Sequence, residues 1–331
     1  MFVFDTRSDI LSFPMRRLFA LAAVCAAQVP TTSYRAGVVE FSPALCANNS
    51  LDRAAAVGCM RQNLAQYDSL AAAAAANGTQ ILVFPEYGIY GDGTVAESAW
   101  TRAGILPFGE PVPDVLSPPA VLCGAGGAQG DDGPATITTA LSCLAKARGL
   151  ALVADLADKV RCSSGPGCRA DGYRLYNTAV AFGADGAYLA KYHKNHLFGD
   201  ESRFFESGIG GRWGNRSTFV VPGLGGAAAG VEFGMFICFD ILWEGGWGPS
   251  GVRNFVFPTD WVNARPFEKA TEAQTAWSLA AGANLLAANY GGFGEHSSGS
   301  GIYHKGQALA KFFNPTKEPG TKMLIVDVPL L

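Results

Sequence analysis

Short and nearly unbroken apolar runs set the limits on this chain: ILVF at 81–84, LALVADL at 150–156, VEFGMFICF at 231–239, NFVFPT at 254–259 and NLLAANY at 284–290. A strand built from such a run has to be buried on both faces, so sheets covered by other layers are required. None of the runs reaches the ~18 residues of a membrane span. Helical stretches lie between them. One covers 51–76, ends in six alanines and is stopped by Asn77-Gly78. Another, TITTALSCLAKARG, stops at Gly149, and a third, 266–283, is opened by Pro266. Further strands are expected at 33–41, 173–182, 187–193, 300–304, 308–313 and 322–328, with Ala184-Asp185-Gly186 as a hairpin turn. Residues 91–134, rich in Gly, Pro and Asp, read as one long irregular excursion. The fold class is α/β, with mixed sheets whose faces are covered by helices.

Charge excludes some functions. Only 16% of the 331 residues are charged, and 25 Lys and Arg stand against 28 acids with no basic stripe. Nucleic acid is therefore not an expected partner. Arg16 and Arg17 precede the apolar run Leu18–Ala27, which ends in small residues. This reads as a signal peptide over 1–27, with translation starting at Met1 or Met15; an N-terminal core helix is the alternative. Of eight cysteines, Cys25 would leave with that segment. Seven remain, an odd number that suggests disulfides plus one reactive thiol. Sequence alone does not fix the connectivity, but order favours Cys46 with Cys59, Cys123 with Cys143, and Cys162 with Cys168. Sequons at Asn48, Asn77 and Asn215 agree with a secreted or secretory-lumen location.

Three polar residues stand at the ends of apolar strands, where α/β scaffolds bind ligands: Glu86, Lys194 and Cys238. Each alone has an ordinary reading, as a loop carboxylate, a solvated lysine or a buried small hydrophobe. Together they supply a nucleophile, a base for its proton and a cation for an oxyanion. On FPEYGIYG around Glu86, KYHKNHLFGDE around Lys194 and FGMFICFDIL around Cys238, the chain resembles the nitrilase superfamily of carbon–nitrogen hydrolases. With LSCLAK, YNTAV, FPTDW-x-N, GSGIY and the paired cysteines before YNTAV, it resembles the biotinidase and vanin (pantetheinase) branch.

The resemblance implies a four-layer αββα sandwich over 33–331. It also implies cleavage of a linear carboxamide, pantetheine- or biocytin-like, through a cysteine thioester, with a small-molecule amide and water as the partners. Glu86, Lys194 and Cys238 are the implied catalytic residues, with Glu201 and the backbone N–H of Phe239 in support and Asp260 and Trp261 at the pocket. The further C-terminal domain and lipid-anchor signal of that branch are not recognisable before Leu331. Monomer and homodimer both fit the superfamily. Two other readings stand beside this one: a different superfamily amidase or nitrilase acting on small substrates, and a catalytically silent binding relative.

No cofactor or metal is expected. His193 and His196 lack a further ligand cluster at zinc spacing. Gly223-x-Gly225-x-x-Ala228 lacks the helix that a dinucleotide site needs. No G-x-S-x-G elbow occurs, so a serine hydrolase is unsupported.

Overall fold

Side chains along β1 (Ser33–Glu40) go alternately to two interiors, as the two-residue period of a strand requires. Tyr34, Ala36 and Val38 enter one hydrophobic core, while Val39 and then Phe41 enter another. The same split recurs at Ile81 and Val83 against Leu82 and Phe84, and at Val153 against Leu152. One core lies between two sheets and the other lies under helices, which is why these segments read as continuous apolar runs.

The computed structural model describes residues 33–44, 52–91, 101–124, 126, 129–130, 133–210, 217–226, 229–243, 251–264, 269–292, 297–316 and 318–331. The 1–27 signal segment, Cys46, Asn48, Asn215 and Pro266 lie outside them. After β1 come α1 (Arg53–Ala76), β2 (Ile81–Val83), α2 (Arg102–Ile105), β3 (Gln129–Gly130), β4 (Gly133–Pro134), α3 (Thr136–Arg148), β5 (Ala151–Arg161), β6 (Tyr173–Phe182) and β7 (Tyr188–His193). The second half holds β8 (Ser217–Val221), β9 (Val231–Met235), β10 (Asn254–Thr259), α4 (Ala270–Ala281), β11 (Asn284–Asn289), β12 (Ser300–His304), β13 (Gln307–Phe312) and β14 (Lys322–Pro329).

Among the described residues the strands form two six-stranded mixed sheets, ordered β14-β1-β2-β5-β6-β7 and β13-β12-β11-β10-β9-β8, and a small β3–β4 pair. Helices α1 and α3 cover the outer face of the first sheet, and α4 packs on β11, β12 and β13 of the second. This is the four-layer αββα sandwich. Among the described residues no helix is long and apolar enough to cross a membrane.

Helix ends follow local chemistry. Asp52 caps α1 by accepting from the Ala55 N–H at 2.8 Å. Gly149 and Gly282 close α3 and α4 at φ of 64° and 59°, the left-handed conformation that glycine adopts without a Cβ clash. Asn77, exposed at the end of α1, turns its side-chain amide onto the Ala73 carbonyl at 2.8 Å. Disulfides join Cys123 to Cys143 and Cys162 to Cys168. Cys59 is also disulfide-bonded.

The excursion over 91–134 includes, among its described residues, regular structure that its composition does not suggest. It contains α2, and a strap at 110–112 is stitched to β5. Glu110 N–H donates to the Ala157 carbonyl (3.0 Å), and Val112 N–H donates to Asp158 Oδ1 (3.1 Å). Lys191 and His193 both contact the other oxygen of Asp158, at 3.1 and 2.9 Å. Glu110 is buried and accepts from the Ile137 and Thr138 N–H groups, the Thr138 hydroxyl and Arg53. It therefore both caps α3 and anchors the strap. Glu110→Ala strips partners from two buried amides and is expected to cost about 2–4 kcal/mol in a denaturant melt.

Candidate active site

The site is built where three strand ends meet. β2 ends at Val83, three residues before Glu86, and Lys194 directly follows β7. The expected strand over 231–239 ends early, at Met235. Its pairing with β10 stops at Met235–Val256, and Cys238 then opens a 3-10 turn, Cys238–Leu242, at φ 45°. A non-glycine residue in the left-handed region is strained, and such strain persists only where the surroundings hold it. Here Asp240 holds it. Its buried carboxylate accepts from the Ile237 N–H (3.2 Å), the Tyr192 hydroxyl (2.8 Å) and both the N–H and the ring of His196 (2.7 and 2.9 Å). Glu201 braces a second such turn, Gly199–Arg203, by accepting from the Phe198 N–H at 2.6 Å.

Glu86, Lys194 and Glu201 form one buried chain of charges. Lys194 Nζ donates to Glu86 Oε1 and to Glu201 Oε2, both at 2.7 Å. Asn177 Nδ2 donates to the same Glu86 oxygen at 2.7 Å and to Glu201 Oε1 at 3.0 Å. The second Glu86 oxygen accepts from the Asp260 N–H at 2.7 Å, and the Asp260 carbonyl accepts from the Cys238 thiol at 3.4 Å. A single residue thus links Glu86 to Cys238. Cys238 is a buried free thiol.

Electrostatics assign protonation states. Burial pushes the Cys238 thiol well above its usual range, and the Glu86 carboxylate adds to this while Lys194 opposes it. The thiol is therefore neutral at pH 7 and needs a base at the moment of attack. Burial also raises Glu86, against the pull of Lys194. Burial works against the charge on Lys194, but Glu201 and Glu86 outweigh it and hold the ammonium well above its ordinary value.

The cleft over Cys238 is lined by Phe198, Phe239, Asp260, Trp261 and Val262. Trp261 N–H donates to Asn289 Oδ1 at 2.9 Å, which fixes its backbone against β11. The two histidines go to different aspartates, His193 to Asp158 and His196 to Asp240, and each ring also stacks on an aromatic, Tyr176 and Trp243 respectively. Gly223 and Gly225 lie in a turn after β8. Sequence reasoning missed Asn177, Asp240, Tyr87 and Asp155. Asn177 carried a usable signal, a lone amide inside an apolar strand, since a buried amide demands partners.

Residues 53–249 match the family described as carbon-nitrogen hydrolase. Biotinidase of Mus musculus is 34% identical over 306 residues, covering 89% of this chain and 54% of its own length. Pantetheinase of Bos taurus is 32% identical over 277 residues, covering 81% and 50%. The chain thus spans about half the length of these relatives. In fold it is similar to an amidase of the nitrilase superfamily from Nesterenkonia AN1, with a TM-score of 0.58, 21% identity and coverage of 91% and 93% of the two chains.

Proposed function

The chain belongs to the carbon–nitrogen hydrolase family, and from that premise and the geometry of its site we propose that it hydrolyses a linear carboxamide through a thioester on Cys238. Glu86 takes the thiol proton as Sγ attacks the carbonyl carbon. Lys194 and the Phe239 N–H receive the oxyanion. Glu86 then passes the proton to the nitrogen as the C–N bond breaks, so the amine leaves and the acyl group stays on sulfur. Water attacks the thioester with Glu86 again as base, and release of the acid restores the thiol. The observation that carries this reading is the Asp260 linkage, 2.7 Å to the base and 3.4 Å to the nucleophile, around an otherwise neutral thiol.

The substrate proposed is pantetheine- or biocytin-like. The relatives named biotinidase and pantetheinase support this class. So does the cleft, where Phe198, Phe239, Trp261 and Val262 suit an uncharged acyl arm. Secretion is proposed with it, supported by the Cys123–Cys143 and Cys162–Cys168 disulfides. Amine release is measured from pantetheine and biocytin side by side. Turnover of one of them, preferred by at least about tenfold and absent in Cys238→Ala, is the expected result. A folded protein silent on both would overturn the substrate reading.

A further inference from the structure

The turn after β2 holds a second constrained residue. Tyr87, next to the proposed base, sits at φ 59°. Its N–H donates to Asp155 Oδ1 at 3.0 Å, and its hydroxyl donates to Glu201 Oε1. Asn177 Nδ2 lies 3.3 Å from the same hydroxyl. We propose that Tyr87 is a positioning residue for the reaction, a two-ended clasp that fixes Glu86 through its backbone and Glu201 through its hydroxyl, and so sets Lys194 between the two carboxylates. This rests on the catalytic reading above.

Asp155, on β5, anchors the backbone end. It is fully buried, and its Oδ2 has no hydrogen-bond partner among the described residues. Glu86, Glu201 and Asp155 share the neighbourhood of one ammonium, Lys194, which is already engaged by the two glutamates. Among the described residues a third buried anion has no further cation to balance it, so Asp155 works as the neutral acid. Burial and the nearby Glu86 charge push Asp155 in that direction. The charged and titratable groups around the Tyr87 hydroxyl are Glu201, Glu86 and Tyr90, with Lys194 between the glutamates and Cys238 beyond them. The Tyr87 hydroxyl holds the Glu201 carboxylate in place beside Lys194, and Glu201 together with Glu86 keeps Lys194 charged.

The test reads the rate of Cys238 alkylation by iodoacetamide against pH, which requires no knowledge of the substrate. Cys238→Ala identifies the labelled residue, and a thermal melt verifies folding of each variant. Tyr87→Phe removes only the hydroxyl. The acid limb of its profile is expected to move up by about one pH unit, with alkylation at pH 6 slowed about tenfold. Asp155→Asn keeps an oxygen for the Tyr87 N–H without a charge. It is expected to hold the wild-type limb and a rate within about threefold, whereas Asp155→Val loses the rate about tenfold. A Tyr87→Phe profile that overlays wild type overturns the clasp, even if amide turnover still depends on Cys238. Asp155→Asn falling as far as Asp155→Val overturns the neutral role of Asp155. Loss of the catalytic reading itself shows separately, as amide turnover that survives Cys238→Ala.

Discussion

Cys238→Ala lowers amide turnover by more than about 10⁴-fold while leaving the melting temperature close to wild type. The two halves of this expectation have different causes. The thiol is the group that carries the acyl group through the proposed cycle, so its removal leaves the oxyanion donors with nothing to stabilise. Structurally the loss is small. The buried thiol is neutral, and its contact to the Asp260 carbonyl is a long one, at 3.4 Å. The Asp240 carboxylate, which holds the turn, is untouched. Amine release normalised to folded protein checks the first half, and calorimetry the second. Residual turnover above about one per cent would remove Cys238 from the nucleophile's role.

Lys194→Met has the opposite balance, with activity and stability both falling. Nζ is buried and bridges two buried carboxylates at 2.7 Å. Without it, Glu86 and Glu201 keep their neutral donors but lose the cation between them, a loss expected to be about 3–5 kcal/mol at pH 7. Turnover falls by about 10²–10³-fold as an oxyanion donor disappears. The stability deficit depends on pH with a definite sign. Burial already raises Glu86 against the pull of Lys194, so in the variant its folded carboxyl holds a proton to higher pH than the unfolded one, and the unfolded state binds fewer protons through that window. Stability then falls as pH rises, and the deficit shrinks towards acid. Denaturant melts at pH 5 and pH 7 check this: a deficit that is equal at both values contradicts the pairing.

How much of this was legible in the sequence differs between fold and site. The inner strands could be read because sheets buried on both faces leave no room for polar alternation, as at Ile81–Val83 and Asn254–Thr259. Strand ends could not be read so well. β5 runs on to Arg161 through Asp155, Asp158 and Lys159 because β6 offers it a partner along its whole length. The strand into Cys238 stops short because β10 ceases to pair and Asp240 captures the turn. Glu86, Lys194 and Cys238 stood out as polar ends of apolar runs. Tyr87, Asp155 and Asp240 did not, because their importance lies in contacts made across 114, 68 and 48 positions of sequence, respectively to Glu201, Tyr87 and Tyr192. Local pattern carries no information about such distances.

The Asp260 linkage also has a mechanical meaning. Glu86 hangs from one sheet, while Cys238 and Asp260 hang from the other, so the 2.7 Å hydrogen bond from the Asp260 N–H to Glu86 spans the seam of the sandwich, and the 3.4 Å bond ties Cys238 to Asp260 on one side of it. Base and nucleophile stay aligned only while the two sheets keep their lateral registry. A slip of about an ångström between the layers would disarm the site with every strand still intact. The chemistry is thus a vernier on the sandwich, more sensitive to sliding than the hydrophobic seam that resists it.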